Sequence, residues 1–454
     1  MVEKQEARGF WGSRLGFVLA AAGSAIGLGA VWKFPYMAGA NGGGAFLVVY
    51  LAAVLGIGLT MMLAELAIGR ASQSDAVNAF RALGGKGWSF FGYFSLLAAF
   101  IILSFYCVVG GWTAGYLYKA VTGTLLDPGV EGFSGQFFGF AGSPDGSLFW
   151  FAVFMSLTVW IILGGVKRGI ERANTILMPL LFLLMLAMIA RSVTLPGAME
   201  GVRFFLTPDP GKITLRVLID ALGFACFSLS LGFAGMLTYG SYMKKEQNMV
   251  SSALWVVALQ TLCVIMAGFM VLPAVFATGM EPGAGPGLTY ITLPAVFKAM
   301  PGGGFFAAVF FLLLLLAALT SSVSILEPLV AWLIDTYRWR RGVACACVAV
   351  ASFTCGIPAA LSFGAGKSWT LFGKTVFDLM DYLTLNIMLP LNVLAACVVM
   401  GWIANRVFVR ELYQRRHDAE GILAQPWWAG VINCCCKFLA PLVIAAILLG
   451  SFLQ

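Results

Sequence analysis

Eleven stretches of the chain are apolar for long enough to cross a hydrocarbon layer of about 30 Å. They cover residues 15–38, 43–69, 88–122, 147–163, 169–191, 214–242, 248–277, 304–335, 342–362, 376–404 and 433–453. The pattern predicts an all-α integral membrane protein of about eleven transmembrane helices. Two stretches are interrupted. The first carries Gly23, Gly27 and Gly29 at its centre, with Lys33 just beyond. Each interior Gly costs about 1 kcal/mol against Ala, so a helix that only spans lipid would not place them there. Unwound backbone at membrane depth persists only where protein or a water-filled cavity surrounds it. The sixth stretch repeats the anomaly with Ser228, Ser230, Gly232 and Gly235. Interrupted segments in corresponding places of two halves point to the binding site of a secondary transporter. The placement of the breaks predicts a 5+5 inverted repeat with broken helices 1 and 6. Residues 15–191 form the first repeat, 214–404 the second, 426–454 an added helix, and 1–14 a cytoplasmic N-terminal segment. All belong to one domain, 1–454.

Composition strengthens the membrane reading. Apolar residues make up 60% of the 454 and charged residues 11%, where soluble proteins carry about 25% charge. Lys and Arg set the orientation. With the N-terminus inside, the inner stretches hold 18 of these residues and the outer stretches 8. That bias places the N-terminus in the cytoplasm and the C-terminus outside, and no cleavable signal peptide is expected. The net charge of +8 follows from this bias and calls for no nucleic acid. The ten cysteines fall in or beside apolar helices, as small hydrophobes rather than a disulfide framework. For the run at Cys434, Cys435 and Cys436, helix packing is favoured over lipidation or metal binding.

Candidate chemistry concentrates at the breaks. A half-helix ending near Ser24 exposes carbonyl oxygens, which suit Na⁺, and one starting near Leu28 exposes N–H groups, which suit a carboxylate. Unwinding around Ser228 and Ser230 lets both hydroxyls converge, although a helical Ser often bonds only its own backbone. The eighth stretch carries Thr320, Ser321 and Ser322, with Ala317 about one turn earlier. Hydroxyls and carbonyls make a neutral oxygen cage for a monovalent cation, whereas Ca²⁺ or Mg²⁺ would demand carboxylates. Glu65 lies deep in the second stretch, where a charge costs about 2.5–3.5 kcal/mol. It reads as a brace for backbone N–H groups freed by a break, with an interfacial carboxylate as the alternative. Lys33 with Asp381 reads as an outer gate, and Arg8 with Asp335 as its inner counterpart; solvated surface charge is the alternative for each pair. Gly169 and Pro179 allow the start of the fifth helix to unwind or kink. The loop near 278–303 is either a lid over the outer vestibule or an ordinary surface loop.

Several motifs resemble those of the neurotransmitter:sodium symporters, which have the leucine-transporter fold. They include Trp11 to Arg14 (WGSR), Gly23 to Gly29 (GSAIGLG), Lys33 to Pro35 (KFP) and Asn41 to Phe46 (NGGGAF). Glu65, Tyr106, Ser228 to Phe233 (SLSLGF), Thr238 to Tyr242 (TYGSY), Thr320 to Ser322 (TSS) and Asp381 continue the match, and eleven helices resemble the bacterial members. The resemblance implies two sodium sites and an amino-acid site midway across the bilayer. The second sodium site would use carbonyls of Gly23, Ile26 and Ala317 with the hydroxyls of Thr320 and Ser321. The first would use Ala25, Ser228 and Gln260; the family has asparagines where this chain has Ala30 and Gln260. The substrate carboxylate would meet the Leu28 and Gly29 N–H groups and the Tyr106 hydroxyl. Its ammonium would meet carbonyls of Ala25 and Phe227 and the hydroxyls of Ser228 and Ser230, with Ser321 at the edge of the same site. Its side chain would lie among Ile102, Phe227, Phe233, Gly235 and Ile325. Chloride-binding members carry a Gln and a Ser where this chain has Phe224 and Val264, so chloride independence is expected.

The expected function is sodium-coupled import of neutral, hydrophobic amino acids by alternating access, in a bacterial inner membrane. A non-transporting sensor or a channel on the same fold is the alternative. A membrane enzyme is excluded by chemistry: the only His is His417, in a charged loop, and no nucleophile–base pair or metal cluster accompanies it.

Overall fold

The computed structural model describes residues 9–280, 287–413 and 427–453. Helix α1 (Arg14–Ala25) opens with Ser13, whose hydroxyl accepts the Gly16 N–H. It ends where Ile26 leaves helical geometry, and α2 (Gly29–Ala40) restarts at an angle of 52° to it. Then follow α3 (Gly44–Ser72), the short α4 (Ala76–Gly84), α5 (Lys86–Val121), the short α6 (Gly132–Gly142), α7 (Pro144–Leu163) and α8 (Val166–Val193). A short α9 (Ala198–Leu206) precedes the second interrupted segment, α10 (Leu215–Ser228) and α11 (Gly235–Ser241). The rest is α12 (Met249–Ala277), α13 (Leu288–Ala299), α14 (Gly303–Tyr337), α15 (Arg341–Leu361), α16 (Val376–Ile403), α17 (Asn405–Tyr413) and α18 (Trp427–Gly450). A two-stranded hairpin, β1 (Thr370–Leu371) with β2 (Lys374–Thr375), precedes α16.

Among the described residues, nine unbroken helices are long and apolar enough to span a membrane, and the α1–α2 pair makes a tenth. The α10–α11 pair adds the broken sixth segment, which is compatible with eleven. Burial sorts the spans into a core and a rim. The most apolar windows of α5 and α14 are 72% and 83% buried, those of α8 and α18 only 28%. Helices α5 and α14 therefore form the inner wall, and the rim helices offer apolar side chains to lipid.

The second break is held open by specific contacts. Between α10 and α11 the backbone turns left-handed at Ser230 (φ 56°), Gly232 (φ 91°) and Ala234 (φ 63°). Non-glycine residues adopt such angles only where the surroundings impose them. At Gly232, a Cβ would lie 2.5 Å from the Leu389 carbonyl oxygen, so only glycine fits. The freed Gly232 N–H donates to Glu65 Oε1 at 2.7 Å, and Asn392 Nδ2 donates to the Gly232 carbonyl at 2.8 Å.

Two further features differ in detail from the pattern. Pro179 sits inside a continuous α8, and the departure from α-helical geometry lies earlier, in a π-helical turn over Val166–Glu171. Of the 278–303 region, Leu288–Ala299 packs inward as α13: Tyr290 is buried and its hydroxyl lies 2.8 Å from Thr113 on α5. Its ring sits among Trp32, Trp112, Tyr116 and Phe137.

Candidate functional site

The two breaks meet. A cavity of about 50 Å³ lies between them. Ser24, Ala25, Gly27 and Gly29 line it from the first break; Phe227, Ser228, Ser230 and Phe233 line it from the second. Ile102 and Tyr106 on α5, Ser321 and Ile325 on α14, and Leu389 on α16 complete the wall. Its lining is of two kinds: the hydroxyls and backbone of the breaks, and the apolar side chains of Ile102, Phe233, Ile325 and Leu389. The Leu28 N–H points at the Tyr106 hydroxyl, 3.4 Å away, although Leu28 itself stays outside the wall. Gly235 is also outside it: the Phe233 ring fills the space beside Gly235, 2.5 Å from where a Cβ would stand. Leu389 is a wall residue that the sequence pattern did not single out, whereas Ser24 and Gly27 read there as parts of the break and not as substrate contacts. Gly27 carried a signal nonetheless, since a Cβ there would lie 2.3 Å from Ser321 Oγ.

Hydroxyls tie the breaks together at a single carbonyl. The Ser24 oxygen accepts from Ser230 at 2.7 Å and from Ser321 at 2.9 Å. Ser321 also reaches the Gly23 oxygen at 3.4 Å, and Thr320 donates to the Ala317 oxygen at 3.0 Å. Gly23, Ala317, Thr320 and Ser321 thus supply neutral oxygens in one small region beside the Ile26 turn. Among the described residues no group of three or more His, Cys, Asp or Glu side chains converges to hold a metal. The donor set suits Na⁺ rather than a divalent ion.

The other cation candidates are placed differently. Gln260 is fully buried, its Oε1 accepts from Tyr50 at 2.8 Å, and its Nε2 has no partner. Ser228 donates to the Ala225 carbonyl at 3.2 Å, with the Tyr50 hydroxyl 3.4 Å away. Ala30 is buried and adds no polar group.

The two ends of the site contrast. On the Lys33 side a second cavity of about 830 Å³ runs from the loop around Gly211 and Lys212 down to Phe227, which lines both cavities. Lys33 Nζ stands over the Phe227 ring, 5.1 Å from its centroid. Asp220 and Asp381 both lie within its electrostatic reach, yet no salt bridge joins Lys33 to Asp381. On the opposite side Trp11 is fully buried. Its Nε1 donates to the Tyr239 carbonyl at 3.0 Å, and its backbone N–H to the Tyr242 carbonyl at 3.2 Å. Glu171 accepts from the Gly12 N–H at 2.7 Å and the Ser13 hydroxyl at 2.9 Å. Tyr242 donates to Glu327 Oε1 at 2.8 Å, and Arg341 forms an ion pair with the buried Glu327. Asp335 accepts the Asp75 N–H at 3.1 Å; Arg8, its expected partner, lies outside the described residues.

This geometry has known counterparts. A solved structure of the transporter MhsT in complex with L-phenylalanine superposes with a TM-score of 0.89 at 41% identity, covering 98% of this chain and 100% of that one. The uncharacterized sodium-dependent transporter YhdH of Bacillus subtilis is 40% identical over 381 residues, 84% of each chain. An uncharacterized sodium-dependent transporter of Haemophilus influenzae is 38% identical over 99% of this chain and all of its own. The human sodium- and chloride-dependent GABA transporter 2 is 27% identical over 98% of this chain and 80% of its own. The model of the sodium:neurotransmitter symporter family matches residues 8–128 and 141–454. With its two broken segments and its leucine-transporter fold, the chain belongs to the sodium:neurotransmitter symporter family, whose members are sodium-dependent transporters and not enzymes.

Proposed function

We propose that this chain imports neutral, hydrophobic amino acids through a cell membrane, driven by sodium and working by alternating access. One observation carries the reading: the cavity at the meeting of the breaks is lined by backbone and hydroxyl groups together with aliphatic and aromatic side chains. The Leu28 and Gly29 N–H groups with Tyr106 would hold a carboxylate. The ammonium would take the Ala25 and Phe227 carbonyls and the Ser228 and Ser230 hydroxyls. No charged side chain lines the wall, so a charged substrate would be buried unpaired at high cost. Phenylalanine bound to the similar MhsT supports the same substrate class. Phe227 and Phe233 would swing aside to admit the side chain.

Two sodium ions are proposed, one in the Gly23, Ile26, Ala317, Thr320 and Ser321 cage and one near Ala25, Ser228 and Gln260. Chloride is not required in this reading. Where chloride-binding members carry a Gln and a Ser, this chain has the Phe224 ring, packed against Phe34, Phe46 and Tyr50, and the fully buried Val264, neither of which offers a hydrogen bond to a halide. The Lys and Arg bias puts the Trp11 side in the cytoplasm and the Lys33 side outside. One Na⁺ crossing 100 mV supplies about 2.3 kcal/mol, more than the 1.4 kcal/mol of a tenfold substrate gradient. The test is labelled leucine uptake into proteoliposomes with Na⁺, K⁺ and H⁺ gradients imposed one at a time. Accumulation against a gradient only with sodium, blocked by phenylalanine and valine and not by glutamate or lysine, is expected. Binding without accumulation would point to a sensor, and uncoupled flux to a channel.

A further inference from the structure

Asn174 on α8 is 1% exposed, and its Oδ1 has no hydrogen-bond partner. Its Nδ2 is satisfied, donating to the Ile170 carbonyl at 2.9 Å. The free oxygen is aimed at the cation cage. A Cβ built on Gly23 would lie 2.1 Å from Asn174 Oδ1 and 3.2 Å from Thr320 Cβ, so the amide oxygen and the Thr320 side chain converge on one glycine. Leaving a buried acceptor without a donor costs roughly 1–3 kcal/mol. A hydrophobic residue of similar size would avoid that cost. An acceptor facing a set of neutral oxygens is instead what a cation requires.

We infer that the Asn174 side-chain oxygen is a further ligand of the sodium held by Gly23, Thr320 and Ser321, supplied from the α8 side. The inference rests on the proposed sodium role of that cage and adds a residue to it. Placement on α8 gives the ligand a second property. Asn174 lies midway between Gly169 and Pro179 and one turn beyond Glu171, on the same face. Glu171 clamps Gly12 and Ser13 at the start of α1. Loosening α8 therefore breaks the clamp and withdraws a sodium ligand in the same motion.

The experiment is a sodium titration of the purified full-length protein, read by radiolabelled sodium and in parallel by labelled phenylalanine. Asn174→Ala should raise the half-saturating sodium concentration about tenfold, the loss of one good ligand. Phenylalanine affinity at saturating sodium should stay within about twofold of wild type. Asn174→Asp keeps an oxygen in place and should restore sodium affinity to the wild-type range or tighter. The inference is overturned if Asn174→Ala titrates like wild type, or if Ala and Asp variants lose sodium equally, as a packing role would dictate. The double variant Thr320→Ala, Ser321→Ala tests the cage by itself. If it keeps the wild-type titration, the cage reading fails; if it loses sodium while Asn174→Ala does not, only the Asn174 inference fails.

Discussion

The Trp11 side and the Lys33 side of the central cavity are built from different materials. The first is closed by bonds joining residues far apart in sequence: Trp11 to Tyr239 and Tyr242, Gly12 and Ser13 to Glu171, and Glu327 to Tyr242 and Arg341. The second holds a cavity of about 830 Å³ that shares Phe227 and Leu389 with the central one. There Lys33 makes no salt bridge to Asp381, and Arg216 and Asp220 form a loose ion pair at 3.9 Å. The seal is enthalpic and specific; the opposite mouth is steered by longer-range fields. A transporter that alternates must balance the two, and this arrangement stands with the Trp11 side shut.

Breaking the seal at its buried ion pair should have the largest effect. Arg341→Ala leaves the Glu327 carboxylate buried and unpaired, at a cost of about 3–5 kcal/mol. The molecule should escape by opening the Trp11 side, seen as faster thiol labelling of a cysteine introduced in α1. Adding Glu327→Gln to that variant should recover much of the closure, and no recovery would assign the pair a merely local role. Glu171→Ala comes next. It strips partners from the Gly12 N–H and the Ser13 hydroxyl and should weaken closure by roughly 1–3 kcal/mol, with a smaller rise in the same labelling rate. Unchanged labelling would show that the seal does not depend on Glu171. The smallest effect belongs to Lys33→Ala. Its cation–π contact and loose ion pairing amount to about 0.5–1 kcal/mol. Turnover should slow while substrate affinity changes little, because a gate acts on a conformational equilibrium. An affinity loss as large as the turnover loss would make Lys33 a binding residue instead.

The same contrast separates what was readable in the sequence from what was not. Both breaks announced themselves, since Gly23, Gly27, Gly29 and Gly232 are costly residues for a plain span; the helix stops at Ala25 and resumes at Gly29. Hydroxyl-rich Thr320 to Ser322 stood out for the same reason. Helix ends shifted by a few residues: α14 spans Gly303–Tyr337 where the apolar run covers 304–335, and α18 begins at Trp427 rather than 433. The seal was far less legible. Glu327 lies in a long apolar run and Arg341 in a cytoplasmic-looking charge cluster, and nothing in either context says that they meet. Asn174 and Glu171 were hidden for the same reason. Periodicity tells which residues face inward, whereas pairing between helices depends on which helices become neighbours.

Phe227, which borders both cavities, has an electrical consequence. Were water to fill the large cavity, little of the transmembrane voltage could fall across it. The voltage would then drop mainly across the packed layer between Phe227 and the buried Trp11. At about 2.3 kcal/mol per charge per 100 mV, an ion arriving at the Phe227 ring has spent almost none of this energy. On the proposed sodium-driven import, a sodium ion would then cross most of the field in the short step past the seal. Voltage should accordingly accelerate delivery of the ion to the Trp11 side and leave its capture from the Lys33 side nearly untouched.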